Sequence, residues 1–266
     1  METIQIFGYL GALVVGLVLG LMGSGGSLIA IPIFTYLFHI SPITTTAYSL
    51  FVVGTSSTIG ALRNWKKGLV DFKIAIVFAI PAFIAVYVVR KYILPIIPIE
   101  IITIKEFVVT KDMAIMVFLA VIMLLSSLSM LRNRKLLHDD NQLKRYNYPL
   151  IVLQGIMIGL FTGVVGVGGG FLIIPTLVLL VKLPMKKAVA TSLFIIALKS
   201  LIGFIGDVGN LEINWDFLIG FTIVSTLGIF LGIYLSSFIK GEKLKTYFGW
   251  LLLILSIGIF YKEVFT

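Results

Sequence analysis

The chain has 266 residues, of which 59% are hydrophobic and 12% charged, with a mean hydropathy of +1.11 and a formal net charge of +9. Apolar runs long enough to cross hydrocarbon recur along it, which excludes an ordinary soluble domain and calls for helices, because backbone groups in lipid must be bonded internally. Its basic residues fall in short connections between those runs, where they read as topology signals and lipid contacts rather than a nucleic-acid surface, and the absence of cysteine excludes disulfides, thiolate metal sites and cysteine nucleophiles.

The first apolar run has Glu2 ahead of it, no Lys or Arg and no small-residue cleavage site, so it reads as a retained membrane segment. The pattern predicts a broken segment over 4–38 and helices near 44–62, 72–92 and 111–131. Residues 93–110, with Pro95, Pro98, Glu100, Lys105 and Glu106, read as a mixed apolar and charged connection at the membrane interface. A basic stretch, 132–148, carries Arg132, Arg134, Lys135, Lys144 and Arg145. Beyond it come a second broken segment, 149–181, and helices near 187–206, 216–238 and 244–262. The expected layout is a first membrane repeat, 1–131, a cytoplasmic hinge, 132–148, and a second repeat, 149–266.

The halves are copies. Gly16–Gly60 align without a gap on Gly159–Gly203, with 16 of 45 positions identical. Gly23-Ser24-Gly25-Gly26-Ser27 followed by Ile31-Pro32 matches Gly166-Val167-Gly168-Gly169-Gly170 followed by Ile174-Pro175. The arms after the glycines, 27–38 and 171–181, reach roughly 17 Å as helices, about half of the hydrocarbon thickness. Their prolines fall in early turns, where a missing N–H is tolerated best. Loops 63–73, 132–148, 182–187 and 240–245 hold 15 of the 21 Lys and Arg. If both broken segments are hairpins, all four lie on one face, as the positive-inside rule prefers, and the second half is inserted upside down relative to the first. The expected fold is an all-α polytopic membrane protein of two inverted-topology repeats, each a re-entrant or broken helical hairpin followed by three transmembrane helices, an architecture of secondary transporters.

Glycine-broken half-helices at matching places in two repeats point to a binding site. Free N–H groups at each helix start, with the positive end of the dipole, suit an anion without any charged side chain. On this ground Gly23, Ser24, Gly25, Gly26 and Ser27, with Gly166, Gly168, Gly169 and Gly170, are candidate binding residues. Gly16, Gly20, Gly159 and Gly163 read instead as close-packing positions. Lys199 reads as the one charge deep inside a span, with no acidic residue at similar depth; it either faces an anion or snorkels to the nearer interface. Ser49 and its equivalent Ser192, with Thr191, could donate to an anion or bond their own helix carbonyls, as could Ser57 and Ser200. His39 and His138 lack metal-ligand spacing, and Trp65, Trp215 and Trp250 suit an interfacial belt. No nucleophile–base pair, catalytic carboxylate pair or metal cluster is evident, so an enzyme, a metal and a cofactor are not expected.

The motif Gly-Leu-(x)2-Gly-(x)2-Gly-x-Gly-Gly with its Ile-Pro half-helix, once per half, and the following Ala-x-Ser-Leu-Phe at Ala47–Phe51 and Ala190–Phe194, resembles the TauE/SafE sulfite exporter family. The resemblance implies transport of small sulfur-containing anions, such as sulfite, thiosulfate or organosulfonates, across a prokaryotic plasma membrane. Three glycines in the second cluster against Gly25-Gly26-Ser27 in the first imply hairpins that are not equivalent in the site. The expected activity is export by alternating access; an anion channel and a membrane assembly factor are the alternatives. The expected partners are the anion, a coupling proton or sodium ion, the bilayer and a second copy of the chain, with no nucleic acid.

Overall fold

A computed structural model describes residues 2–23, 25–104, 107–132, 147–179, 181–236, 238–239 and 241–265. The first half runs α1 (Glu2–Met22), α2 (Gly26–Pro32) with a π-helical continuation (Ile33–Leu37), α3 (Pro42–Lys66) and α4 (Phe72–Val88). After α4 come a π turn (Val89–Ile93), the short α5 (Leu94–Ile96), an antiparallel β-hairpin of β1 (Glu100–Ile104) and β2 (Phe107–Thr110), and α6 (Lys111–Leu131). The second half runs α7 (Tyr148–Val165), α8 (Gly170–Leu179), α9 (Met185–Val208), α10 (Trp215–Leu235) and α11 (Gly241–Phe265). The protein is an all-α polytopic membrane protein. Among the described residues five helices are long and apolar enough to cross a membrane, at 72–96, 111–129, 148–165, 186–208 and 215–235.

The first broken segment is a hairpin. Gly26 sits against Val15 and Leu19, Ile33 against Gly11 and the Phe38 ring against Gly8, so the arm doubles back along α1. In the second, Ile173, Leu177 and Val181 share a core with Ile151 and Ile158 of α7. Pro32 is the seventh residue of its helix, beyond the turn whose N–H groups are free, and the helix widens into the π turn directly after it. Both arms end alike: His39 and Lys182, at equivalent positions, have φ of 53° and 55°. The next helices start from Ser41 and Pro184, each at φ −55°, ψ 142°.

Packing follows the duplication. α1 lies on α10, and their equivalents α7 and α4 lie on each other. In the first seam a Cβ on Gly16 or Gly20 would strike the backbone of Ser225 or Ile229, and one on Gly228 or Gly232 the backbone of Leu13 or Leu17. In the second, Gly155, Gly159 and Gly163 rest on Phe78, Ala82 and Val86 in the same sense. These glycines pack helices closely, as small-residue stripes do in lipid. α3 and its equivalent α9 run antiparallel, Gly54 meeting Leu201 and Gly60 meeting Leu193. α6 and α11 are antiparallel too: Ser127 donates to the Gly249 carbonyl at 2.8 Å, while at the other end of α6 Asp112 interacts electrostatically with Glu263 near the end of α11.

Equivalent caps lock the halves across one another. Asp71 caps α4 through the Ile74 N–H, and Asn214 caps α10 through the Phe217 N–H, both at 3.2 Å. The backbone N–H of each then donates to the other half, Asp71 to Thr191 Oγ1 at 3.0 Å and Asn214 to the Tyr48 hydroxyl at 2.7 Å. The 93–110 connection is more ordered than its composition implies, since π turn, α5 and hairpin occupy most of it. Lys111 anchors this region by donating to the Leu94 and Ile97 carbonyls. Of the basic hinge, 133–146 lies outside the described residues, as does His138.

Candidate functional site

Each glycine break begins where a helix ends in a left-handed residue. Gly23 (φ 64°) closes α1 by donating to the Leu19 carbonyl, and its equivalent Gly166 (φ 68°) closes α7 by donating to that of Thr162. These φ values are ones that glycine alone adopts without strain. A second left-handed glycine starts each arm, but the two differ by one place in the alignment, Gly25 at φ 90° against Gly169 at φ 69°. Leu28 donates to the Gly25 carbonyl and Leu172 to that of Gly169, so the N–H groups of Gly26, Ser27 and Gly170 precede the first intrahelical bond.

Each break docks on the other half. Gly23 rests on Val189 at the start of α9, and Gly166 on the equivalent Thr46 at the start of α3. The tips meet between them: a Cβ on Gly168 would lie 3.5 Å from Ser27 Oγ, between Val53 and its equivalent Ile196. Ser192 ties the first tip down by donating to the Gly23 carbonyl at 3.2 Å and to that of Val189 at 2.8 Å. Its equivalent Ser49 is buried with no acceptor among the described residues, as are Ser57 and Ser200. Thr191 is not brought to the tips; its hydroxyl holds the α4 cap. Ser24 lies outside the described residues.

Lys199 is fully buried at the second tip. Its Nζ donates to Thr162 Oγ1 at 2.7 Å and lies 2.8 Å from where a Cβ on Gly169 would stand. A side chain at position 169 would collide with the ammonium. Among the described residues no carboxylate lies within ion-pairing distance of it. The equivalent position in the first half is Ser56, which donates to Ser225 Oγ at 3.3 Å, so the two tips differ by a charge.

Sequence reading missed a second buried cation. Arg90, in the π turn after α4, is fully buried and pairs with Asp207 near the end of α9 at 3.1 Å. The reading that Lys199 alone lies deep is therefore corrected: α9 continues to Val208 and carries Asp207 inside, while the π turn carries Arg90 past Gly166. The available signal was a lone arginine within an apolar run and an aspartate just beyond one. A separate cavity of about 540 Å³ opens at the end of the bundle, lined by Tyr9, Phe38, Tyr48, Asn214, Asp216 and Phe217. None of the described tip residues lines it. Rings packed tilted and edge-to-face there, Phe34–Phe221 at 4.5 Å and Phe38–Phe217 at 4.7 Å, hold the first arm in place.

The family profile described as sulfite exporter TauE/SafE matches residues 9–259. The chain belongs to the TauE/SafE family. A probable membrane transporter protein of Xylella fastidiosa (strain Temecula1 / ATCC 700964) is 24% identical over 256 residues, covering 94% of this chain and 92% of that protein. The probable membrane transporter protein YunE of Bacillus subtilis (strain 168) is 25% identical, covering 96% of each. A probable membrane transporter protein of Methanocaldococcus jannaschii is 27% identical over 203 residues, covering 73% and 70%. No solved structure matches the chain. This TauE/SafE protein is a membrane transporter, and family and relatives indicate transport rather than catalysis.

Proposed function

We propose that this TauE/SafE protein is a secondary transporter that exports small sulfur-containing oxyanions, such as sulfite, thiosulfate or organosulfonates, across the plasma membrane. The observation that carries this reading is Lys199: a fully buried lysine held by one hydroxyl, Thr162, and pressed against a glycine loop. A buried cation in lipid faces a partner or a pathway, and the partner here is the transported anion. Gly25, Gly26, Ser27, Gly168, Gly169 and Gly170 supply backbone N–H groups, and Gly23, Gly166, Ser49 and Ser192 set the tips. Alternating access comes from rocking of the two halves about the tips. Antiparallel packing of α3 on α9 and of α6 on α11 supports inverted repeats. Loops 63–73, 132–148, 182–187 and 240–245 are then cytoplasmic. An inside-negative potential drives anions outward by about 2.3 kcal/mol per charge per 100 mV, which favours export. The coupling ion is a proton or sodium, and the chain works alone or as a homodimer.

The test is uptake of sulfite, thiosulfate and sulfonates into proteoliposomes, with Lys199→Ala alongside. Uptake of at least one of these anions is expected, with apparent affinity at least tenfold weaker in the variant. Uptake of none removes the proposed substrate class, and an unchanged variant removes Lys199 from the site.

A further inference from the structure

The Arg90–Asp207 pair has more donors than acceptors. Arg90 Nη1 meets Asp207 Oδ2 at 3.1 Å, while Arg90 Nε and Nη2 are buried with no acceptor among the described residues. Both side chains lie inside apolar helices, where ionised groups are rare and mark pathways or partners.

Two glycines make room for the guanidinium. A Cβ on Gly166 would collide with Arg90 Nη2, and one on Gly206 would stand 3.1 Å from Arg90 Cβ. The π turn Val89–Ile93 carries the arginine, and such turns gather at functional sites. Nor does the repeat need this pair to stand: the equivalents of Arg90 and Asp207 are Ile233 and Asn64. Gly166 and Gly169 are three residues apart, at most about 10 Å. Arg90 and Lys199 therefore mark the two ends of one loop, the second glycine break.

We propose that Arg90 is a second anion station, which Asp207 occupies as an internal carboxylate in this closed arrangement and from which the transported oxyanion displaces it. The inference rests on the transport reading above and extends it to a second residue. A guanidinium presents two parallel N–H donors, which match the paired oxygens of a sulfite, sulfonate or carboxylate and not a halide. While Asp207 holds it, the station is shut; once an anion takes it, Asp207 is released and the end of α9 is free to part from the π turn.

The experiment is equilibrium binding of sulfite and of thiosulfate to the full chain in lipid nanodiscs, with thermal unfolding as the check on folding. Asp207→Asn, which removes the competitor, is expected to bind at least tenfold tighter. Arg90→Gln with Asp207→Asn is expected to bind at least tenfold weaker than Asp207→Asn alone. The exchanged pair, Arg90→Asp with Asp207→Arg, keeps an ion pair but moves the guanidinium onto α9; it is expected to fold and to bind at least tenfold weaker than the native chain. Chloride at a hundredfold excess is expected not to compete. Native affinity in Asp207→Asn overturns the proposal, and that variant decides alone if both double variants fail to fold. Native affinity in the folded exchanged pair, with binding lost in Lys199→Ala, overturns this proposal and spares the transport reading. A native chain that binds neither anion overturns this proposal, and the transport reading falls with it only if no organosulfonate is taken up either.

Discussion

Among the described residues, the side chains around Lys199 give its ammonium one hydroxyl and no carboxylate. A residue so placed costs stability and is retained for what it binds. Lys199→Met keeps the length and removes the charge, so its thermal midpoint is expected to equal or exceed that of the native chain, while anion affinity falls at least tenfold. A lower midpoint would make the lysine a structural residue held by Thr162. At this scale the sequence was legible where a feature was doubled or out of place: the glycine clusters repeat, and Lys199 interrupts an apolar helix. Arg90 and Asp207 escaped because each lies close to a predicted helix end, where a charge ordinarily reaches water; only the folded chain brings the two ends together. Thr191 shows the converse. Its place beside Ser192 suggested the site, but neighbours on a helix point in different directions, and this hydroxyl points at the α4 cap.

Among the elements, the seams between α1 and α10 and between α7 and α4 bear the closest contacts between the halves. At Gly16 and Gly159 the first obstacle to a side chain is backbone, which cannot swing aside. Gly16→Val and Gly159→Val are each expected to cost about 1–3 kcal/mol, the usual penalty of overpacking. The measurement is unfolding in detergent or bicelles, with Gly258→Val on α11, which meets nothing nearby, as the unaffected comparison. Equal stability of all three would dissolve the seams as a source of cohesion. Helix positions were legible because apolar runs of fixed length punctuated by charge leave little choice. The π turns, the hairpin of β1 and β2 and the one-place offset between Gly25 and Gly169 were not. They depend on how a segment meets its neighbours, as when Pro32 deprives its helix of an N–H and the next turn widens.

For the whole molecule, the proposed opposed insertion of the two halves yields a sharp expectation, because loops 39–44 and 182–187 are equivalent in sequence yet should face opposite compartments. The chain has no cysteine, so single cysteines can be read without background. An impermeant maleimide added to intact cells is expected to label Ser41→Cys and Asn210→Cys and to spare Lys67→Cys and Lys186→Cys until the cells are opened. Labelling of Ser41→Cys and Lys186→Cys from the same side would set the halves parallel. Charge distribution had already pointed this way, and the antiparallel meeting of α3 with α9 agrees. What charge could not tell is that each glycine break docks on the opposite half as well as on its own.

That interlocking bears on how unlike the two ends of the molecule are free to become. A dimer of identical halves is obliged to hold its charges in matched pairs, so that whatever it offers to one compartment it offers to the other. Joining the halves in one polypeptide lifts the obligation. Here Lys199 is answered by Ser56, and Arg90 with Asp207 by Ile233 with Asn64. With the halves inserted in opposed senses, as proposed, the backbone relates the two faces by a near two-fold axis while the charges at the two tips differ. Affinity at one face is therefore free to depart from affinity at the other, and the gradients alone set which way net flow runs.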